Sequence, residues 1–173
     1  MAGPESPDWS RRVFDLLVEA GVRLFAYVPD AGNRALVDLA DAHNDTRAVL
    51  LSSEQEGIAL AAGADLVGAR AVVCMQSSGV GNCPNMLSLV KGGGFPMLLI
   101  VTMRGDYGEM NPWQYPMGQA VGPVLEAMGV LTYRVDADAD LEPAARAAVD
   151  AAWRGGQGVA LVLSQKFLGA KPF

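Results

Sequence analysis

Two rhythms of apolar positions alternate along the chain. Val13, Leu16, Leu17 and Ala20 recur at helical spacing after Asp8, and Gly21 stands where a helix C-terminus belongs, so the first element is a helix. Residues 24–28 form a short apolar run stopped by Pro29-Asp30-Ala31-Gly32, the form of a buried strand entering a loop. The alternation then repeats. The pattern predicts helices over 34–42 (from Asn33 or Arg34), 54–67, 84–90, 121–128 and 141–153. It predicts strands over 48–51, 71–75, 97–102, 131–135 and 159–163.

Short, continuously apolar strands separated by helices are what a parallel sheet covered on both faces requires, because neither strand face meets water. The expected fold is a doubly wound, three-layer α/β/α sandwich in one domain over 1–173. Residues 104–118, rich in Gly, Asn, Pro and aromatic side chains, exceed the usual connection length and have the character of a functional loop.

Ligands of open parallel sheets bind beyond the carboxyl ends of the strands. That rule selects Pro29-Asp30, Ser52-Ser53-Glu54, Gln76-Ser77-Ser78-Gly79-Val80-Gly81-Asn82 and Arg104-Gly105-Asp106. Glu54 is the sharpest of these, a carboxylate in the first turn of a small, apolar helix, where it faces both the helix dipole and the ligand edge. Capping of the helix would equally explain an acid there, and Gln55 and Glu56 stand beside it. Gly79-x-Gly81 lacks the third glycine of a dinucleotide fingerprint, and position 84 is Pro. Gly92-Gly93-Gly94 lacks the Lys-Ser/Thr of a P-loop and is read as a flexible turn. Arg104 could meet an anionic substrate tail or pair internally with Asp106 or Glu109. Trp113 and Tyr115 suit a subunit contact somewhat better than substrate stacking.

Glu54, followed by Ala59, Leu60, Gly63 and Ala64, resembles the pyrimidine-side signature of thiamine diphosphate enzymes, with Ala59 where that family often has Gly. The stretch from Cys74 to Asn82, with Pro96-Met97-Leu98-Leu99-Ile100, Arg104-Gly105, residues 127–130 and Val28-Pro29-Asp30, is similar to sulfopyruvate and phosphonopyruvate decarboxylases, so the likeness covers most of the chain. The resemblance implies a sheet of six parallel strands and the α subunit of a decarboxylase of 3-substituted pyruvates. It implies Glu54 as the catalytic residue, hydrogen-bonded to a pyrimidine ring nitrogen. Pro29, Asp30, Gln76, Ser77, Ser78, Gly79 and Asn82 are candidate cofactor contacts, and Arg104, Gln76 and Asn82 candidate substrate contacts. Carboligation on the same cofactor and a non-catalytic binding module are the alternatives.

Composition narrows the partners. A net charge of -6 and the want of clustered Lys and Arg exclude a nucleic-acid footprint. With 51% apolar and only 18% charged residues, part of the surface is expected to be covered by another chain. Cys74 and Cys83 are read as free thiols, and one histidine, His43, with two cysteines builds no metal site. No apolar h-region opens the chain and no apolar stretch reaches the roughly 18 residues that span a bilayer, so a cytoplasmic protein without a membrane partner is expected. Gly-Asp-Gly, the motif that holds the diphosphate through Mg²⁺ in the resembled family, is absent, Arg104-Gly105-Asp106-Tyr107 being the nearest approach. The sequence ends at Phe173, just past the last expected strand. The resemblance therefore implies thiamine diphosphate and Mg²⁺ as cofactors, the metal held by a β subunit within a hetero-oligomer, and a small anionic 2-oxo acid as substrate.

Overall fold

The computed structural model describes residues 9–170. Asp8, the expected start of the first helix, lies outside them, as do most of the amino-terminal segment and Phe173. The order of elements is α1 (Trp9–Glu19), β1 (Val22–Tyr27), α2 (Arg34–Ala42), β2 (Arg47–Leu50), α3 (Glu54–Leu66), β3 (Arg70–Gln76), α4 (Ser77–Val80), α5 (Ser88–Gly93), β4 (Met97–Thr102), a 3-10 turn at Pro112–Gln114, α6 (Tyr115–Ala127), β5 (Leu131–Val135), α7 (Asp138–Trp153), β6 (Gly158–Leu163) and α8 (Gln165–Leu168). The six strands make one sheet in the order β2-β1-β3-β4-β6-β5, and every pairing is parallel. This is the expected six-stranded architecture.

Strand alternation explains why the runs are apolar throughout. Val72 and Cys74 of β3, Leu98 and Ile100 of β4, and Val159 and Leu161 of β6 pack with Phe14, Leu17, Leu36 and Leu141 of α1, α2 and α7. Val73 and Met75, Leu99 and Val101, and Ala160 and Val162 face the other way, onto Ile58, Val90, Val121 and Leu125 of α3, α5 and α6. Each fully buried Leu, Ile or Val side chain contributes about 1.5–3 kcal/mol, so a sheet with two dry faces needs no polar stripe. Among the described residues no helix is long and apolar enough to cross a membrane.

Three local expectations are corrected. The helix expected over 84–90 is displaced to Ser88–Gly93, because residues 83–88 form tight turns such as Ser88 N–H to Asn85 O at 3.2 Å. Gly92 and Gly93 are helical rather than a flexible turn, and only Gly94, with φ +71°, takes the left-handed conformation that ends α5. In the long loop, α6 begins at Tyr115, six residues before the expected Val121, with Pro116 in its first turn, where a missing N–H is harmless.

Candidate active site

Strand order sets where the site lies. From β1 the chain runs to the edge strand β2, whereas from β3 it runs the opposite way to β4, so the connections after β1 and β3 diverge and leave a crevice between their carboxyl ends. Asp30 follows β1 into this crevice. Its carboxylate accepts hydrogen bonds from the backbone N–H of Gly32 (3.0 Å) and Asn33 (3.1 Å), from Asn33 Nδ2 (3.2 Å), from Gln76 Nε2 (3.2 Å) and from Thr102 Oγ1 (2.6 Å). Buried Asn33 also donates to Met75 O at 3.1 Å and Thr102 Oγ1 at 3.2 Å. The ends of β1, β3 and β4 are thereby joined by one polar network. Gln76 is engaged at both ends, since its Oε1 accepts from Ser78 Oγ at 2.9 Å. The exposed Ser78 hydroxyl, having donated inward, presents acceptor lone pairs outward.

Glu54 opens α3 at the other side of the crevice. Among the described residues Glu54 accepts no backbone hydrogen bond at the start of α3; it is Glu56, two residues on, that accepts the backbone N–H of Ser52, just ahead of the helix, at 2.8 Å. The half-buried Glu54 turns instead to Asn82, whose Nδ2 donates to Glu54 Oε2 at 2.7 Å. Gly79 packs directly beneath; a Cβ on it would lie 2.5 Å from Glu54 Cγ and 2.6 Å from Cδ, so no larger residue fits without moving the acid. Buried Cys83 completes the surroundings. Its thiol is pushed up to about 12 by burial and, secondarily, by the Glu54 charge, so it stays neutral.

Elsewhere on α3, Gly57 makes the tight contact with the sheet, a Cβ there falling 2.6 Å from Val73 Cγ1. The signature residues Ala59 and Gly63 are exposed, and a Cβ on Gly63 would point into open space. With Leu66 and Val67, 74% and 80% exposed, they form an apolar outer face over the middle and carboxyl end of the helix.

Two sequence-derived candidates take other parts. Ser77 is buried, and its hydroxyl both donates to Arg104 O and accepts from Arg104 N, each at 3.0 Å, tying the end of β3 to that of β4; it is closed to a ligand. Arg104 realises the internal pairing, with Nε and Nη2 on Glu109 at 2.5 and 2.7 Å. Glu109, whose side chain is 1% exposed, also accepts from Gln165 Nε2 and from the backbone of Gly105, Met110 and Asn111. Arg104 first and these donors with it hold the Glu109 carboxyl far below the usual carboxylate range. The 104–114 loop is thus a fixed structure that exposes Tyr107, Met110 and Trp113. Pro29 is exposed beside Asp30. The sequence offers Glu109 only as a possible partner of Arg104 and does not single out Asn33 or Thr102, at which only the clustering of polar residues after strands hints. Among the described residues no group of three or more His, Cys, Asp and Glu side chains is placed to hold a metal ion.

Fold and site together define a class: an α/β domain that offers a carboxylate, seated on a glycine, at the switch point of a parallel sheet. The fold is shared with 2-oxoglutarate:ferredoxin oxidoreductase from Magnetococcus marinus, at a TM-score of 0.70 and 16% identity over 97% of this chain and 31% of that one. Residues 8–121 match the thiamine pyrophosphate enzyme, N-terminal TPP binding domain, and the chain belongs to that family. Sulfopyruvate decarboxylase subunit alpha from Methanothermobacter thermautotrophicus is 35% identical over 124 residues, covering 71% of this chain and 75% of its own. The same subunit from Methanocaldococcus jannaschii is 32% identical, covering 72% and 75%. Phosphonopyruvate decarboxylase from Streptomyces viridochromogenes is 35% identical over 64% of this chain and 28% of its own length.

Proposed function

We propose that this chain is the α subunit of a thiamine diphosphate-dependent decarboxylase that converts a 3-substituted pyruvate, sulfopyruvate or phosphonopyruvate, into the aldehyde and carbon dioxide, with Glu54 as its catalytic residue. The observation that carries the reading is Glu54 itself, held at the crevice over Gly79 and hydrogen-bonded by Asn82. The residues present fit an aminopyrimidine. The Glu54 carboxylate can share a proton with a ring nitrogen, and the outward lone pairs of the exposed Ser78 hydroxyl offer an acceptor to an exocyclic N–H group.

Thiamine diphosphate, when bound, supplies a nucleophilic carbon and an electron sink for the leaving carbon dioxide. Glu54 holds a proton between its carboxyl and the pyrimidine ring nitrogen, which biases the ring toward the form able to take up a further proton. Asp30, through Gln76, fixes the polar rim against which the 2-oxo acid would lie. Arg104 retains Nη1 for a sulfonate or phosphonate, while its other edge is occupied by Glu109.

A β subunit is assigned the diphosphate and its Mg²⁺, in line with the want of Gly-Asp-Gly in this sequence and with relatives named as alpha subunits. The apolar outer face of α3, running away from Glu54, is the surface suited to it. Reconstitution tests the whole reading. The chain, mixed with thiamine diphosphate, Mg²⁺ and a partner chain carrying Gly-Asp-Gly, is expected to release aldehyde from sulfopyruvate or phosphonopyruvate. Carboligation products alone, or no turnover of either acid by a complex that forms and binds the cofactor, would overturn it.

A further inference from the structure

We propose that Asn82 is a positioning residue that aims the Glu54 carboxylate, an inference that rests on the catalytic assignment of Glu54. Among the described residues Asn82 is the one group that hydrogen-bonds the Glu54 side chain, Nδ2 to Oε2 at 2.7 Å. A glutamate at a helix mouth has three side-chain torsions, and a bond to one oxygen, combined with the Gly79 backbone against Cγ and Cδ, removes most of that freedom. The carboxylate plane is thereby set, with Oε2 tied to the amide.

The amide comes from a stiff segment. Successive turn bonds, Gly81 N–H to Ser78 O at 3.1 Å, Asn82 N–H to Gly79 O at 3.0 Å and Cys83 N–H to Val80 O at 3.1 Å, prolong α4. Buried Val80 and Cys83 anchor the segment on both sides of position 82. The same residues that seat Glu54 from below therefore also carry the donor that orients it from the side.

Chemistry favours a neutral donor at this place. A lysine or arginine would compete with the ring for the carboxylate, and an aspartate would repel it, whereas an amide orients the acid without changing the charge of the site. Asn82 thus acts through Glu54, and not by a contact of its own with the substrate.

The test is a double-mutant cycle in the assembled complex with thiamine diphosphate and Mg²⁺, paired with NMR of the full chain without cofactor. Asn82→Ala is expected to lower kcat about 10- to 100-fold while cofactor affinity changes by less than about threefold, since a misaimed catalytic group costs turnover rather than binding. Asn82→Asp, which preserves volume but reverses the interaction, is expected to lose at least as much. In a Glu54→Gln background Asn82→Ala should change the residual rate by less than about twofold, the signature of two residues acting as a unit. The side-chain amide signal of Asn82, assigned by its loss in Asn82→Ala, should move in Glu54→Gln. Wild-type kcat in both Asn82 variants, equal losses in both backgrounds, or an amide signal indifferent to Glu54→Gln would each overturn the proposal. Full turnover by Glu54→Gln would instead remove the catalytic reading of Glu54, which the amide signal reports on separately.

Discussion

Glu109→Gln isolates how much the loop after β4 depends on one buried carboxylate. The wild-type oxygens divide six N–H donors equally: Oε2 takes Arg104 Nε, Gly105 N and Gln165 Nε2, and Oε1 takes Arg104 Nη2, Met110 N and Asn111 N. Whichever way a glutamine amide is turned, its NH₂ faces three donors. At about 1 kcal/mol net for each lost bond, the substitution should cost about 3 kcal/mol, with a further contribution from the Arg104 guanidinium, 16% exposed and left unneutralised. For a domain of this size that corresponds to a fall in Tm of roughly 10 °C, read by far-UV circular dichroism of the purified chain. The pH dependence has a definite sign. The folded carboxyl binds its proton less readily than the unfolded one, so its contribution is full above the unfolded value of about 4.3 and is lost as pH falls toward the depressed folded value. The gap between wild type and Glu109→Gln should therefore narrow below about pH 4. A Tm within about 3 °C of wild type at pH 7 would refute the reasoning.

Other consequences follow from the same coordinates. Gly79→Ala places a methyl group 2.5 Å from Glu54 Cγ, and because the acid side chain can swing away, steady-state kinetics should show a loss of kcat of at least about tenfold with a nearly unchanged Tm; unaltered kcat would contradict the seating of Glu54. Both thiols are buried and pushed up to about 12, so neither Cys74 nor Cys83 should react with a thiol-specific disulfide reagent at pH 8 until denaturant is added. Leu66→Glu, at a side chain 74% exposed, should leave the Tm of the isolated chain within about 2 °C yet weaken assembly with the β subunit in analytical ultracentrifugation; intact assembly would remove the outer face of α3 from the interface.

The parallel sheet is legible because its central strands β3, β4 and β6 are buried on both faces and read as continuous apolar runs. The expected 97–102 and 131–135 coincide with β4 and β5, and the other strands differ by one or two residues at their ends. Helices with punctuating residues were harder. Pro116, Gly118 and Gly122 look like breakers, yet Pro116 is tolerated in a first turn, and Gly118 is there because α6 crosses the Gly105 backbone so closely that a Cβ would lie 2.6 Å from its Cα. Local propensity carries no record of that crossing. Three consecutive glycines after Lys91 suggest a turn, yet α5 runs through the exposed Gly92 and Gly93 and ends only at Gly94.

The site divides in the same way. Glu54, Gln76, Ser78, Gly79 and Asn82 could be selected because strand ends and a family likeness point to them. Ser77 as an interstrand tie and Glu109 as a buried hub could not, since each depends on which donors reach it across the fold. The sequence leaves Arg104 open to a substrate anion or to an internal pair with Asp106 or Glu109; the internal pair forms with buried Glu109, while Asp106 goes to Arg134.

The Glu54 carboxyl is assigned the handling of a proton for a bound pyrimidine. The most direct measurement is aldehyde release by the Glu54→Gln chain, assembled with its partner, thiamine diphosphate and Mg²⁺ and compared with wild type at saturating substrate. A fall in kcat of about 10²- to 10⁴-fold with retained assembly is the predicted result. Turnover within a few-fold of wild type would contradict the account.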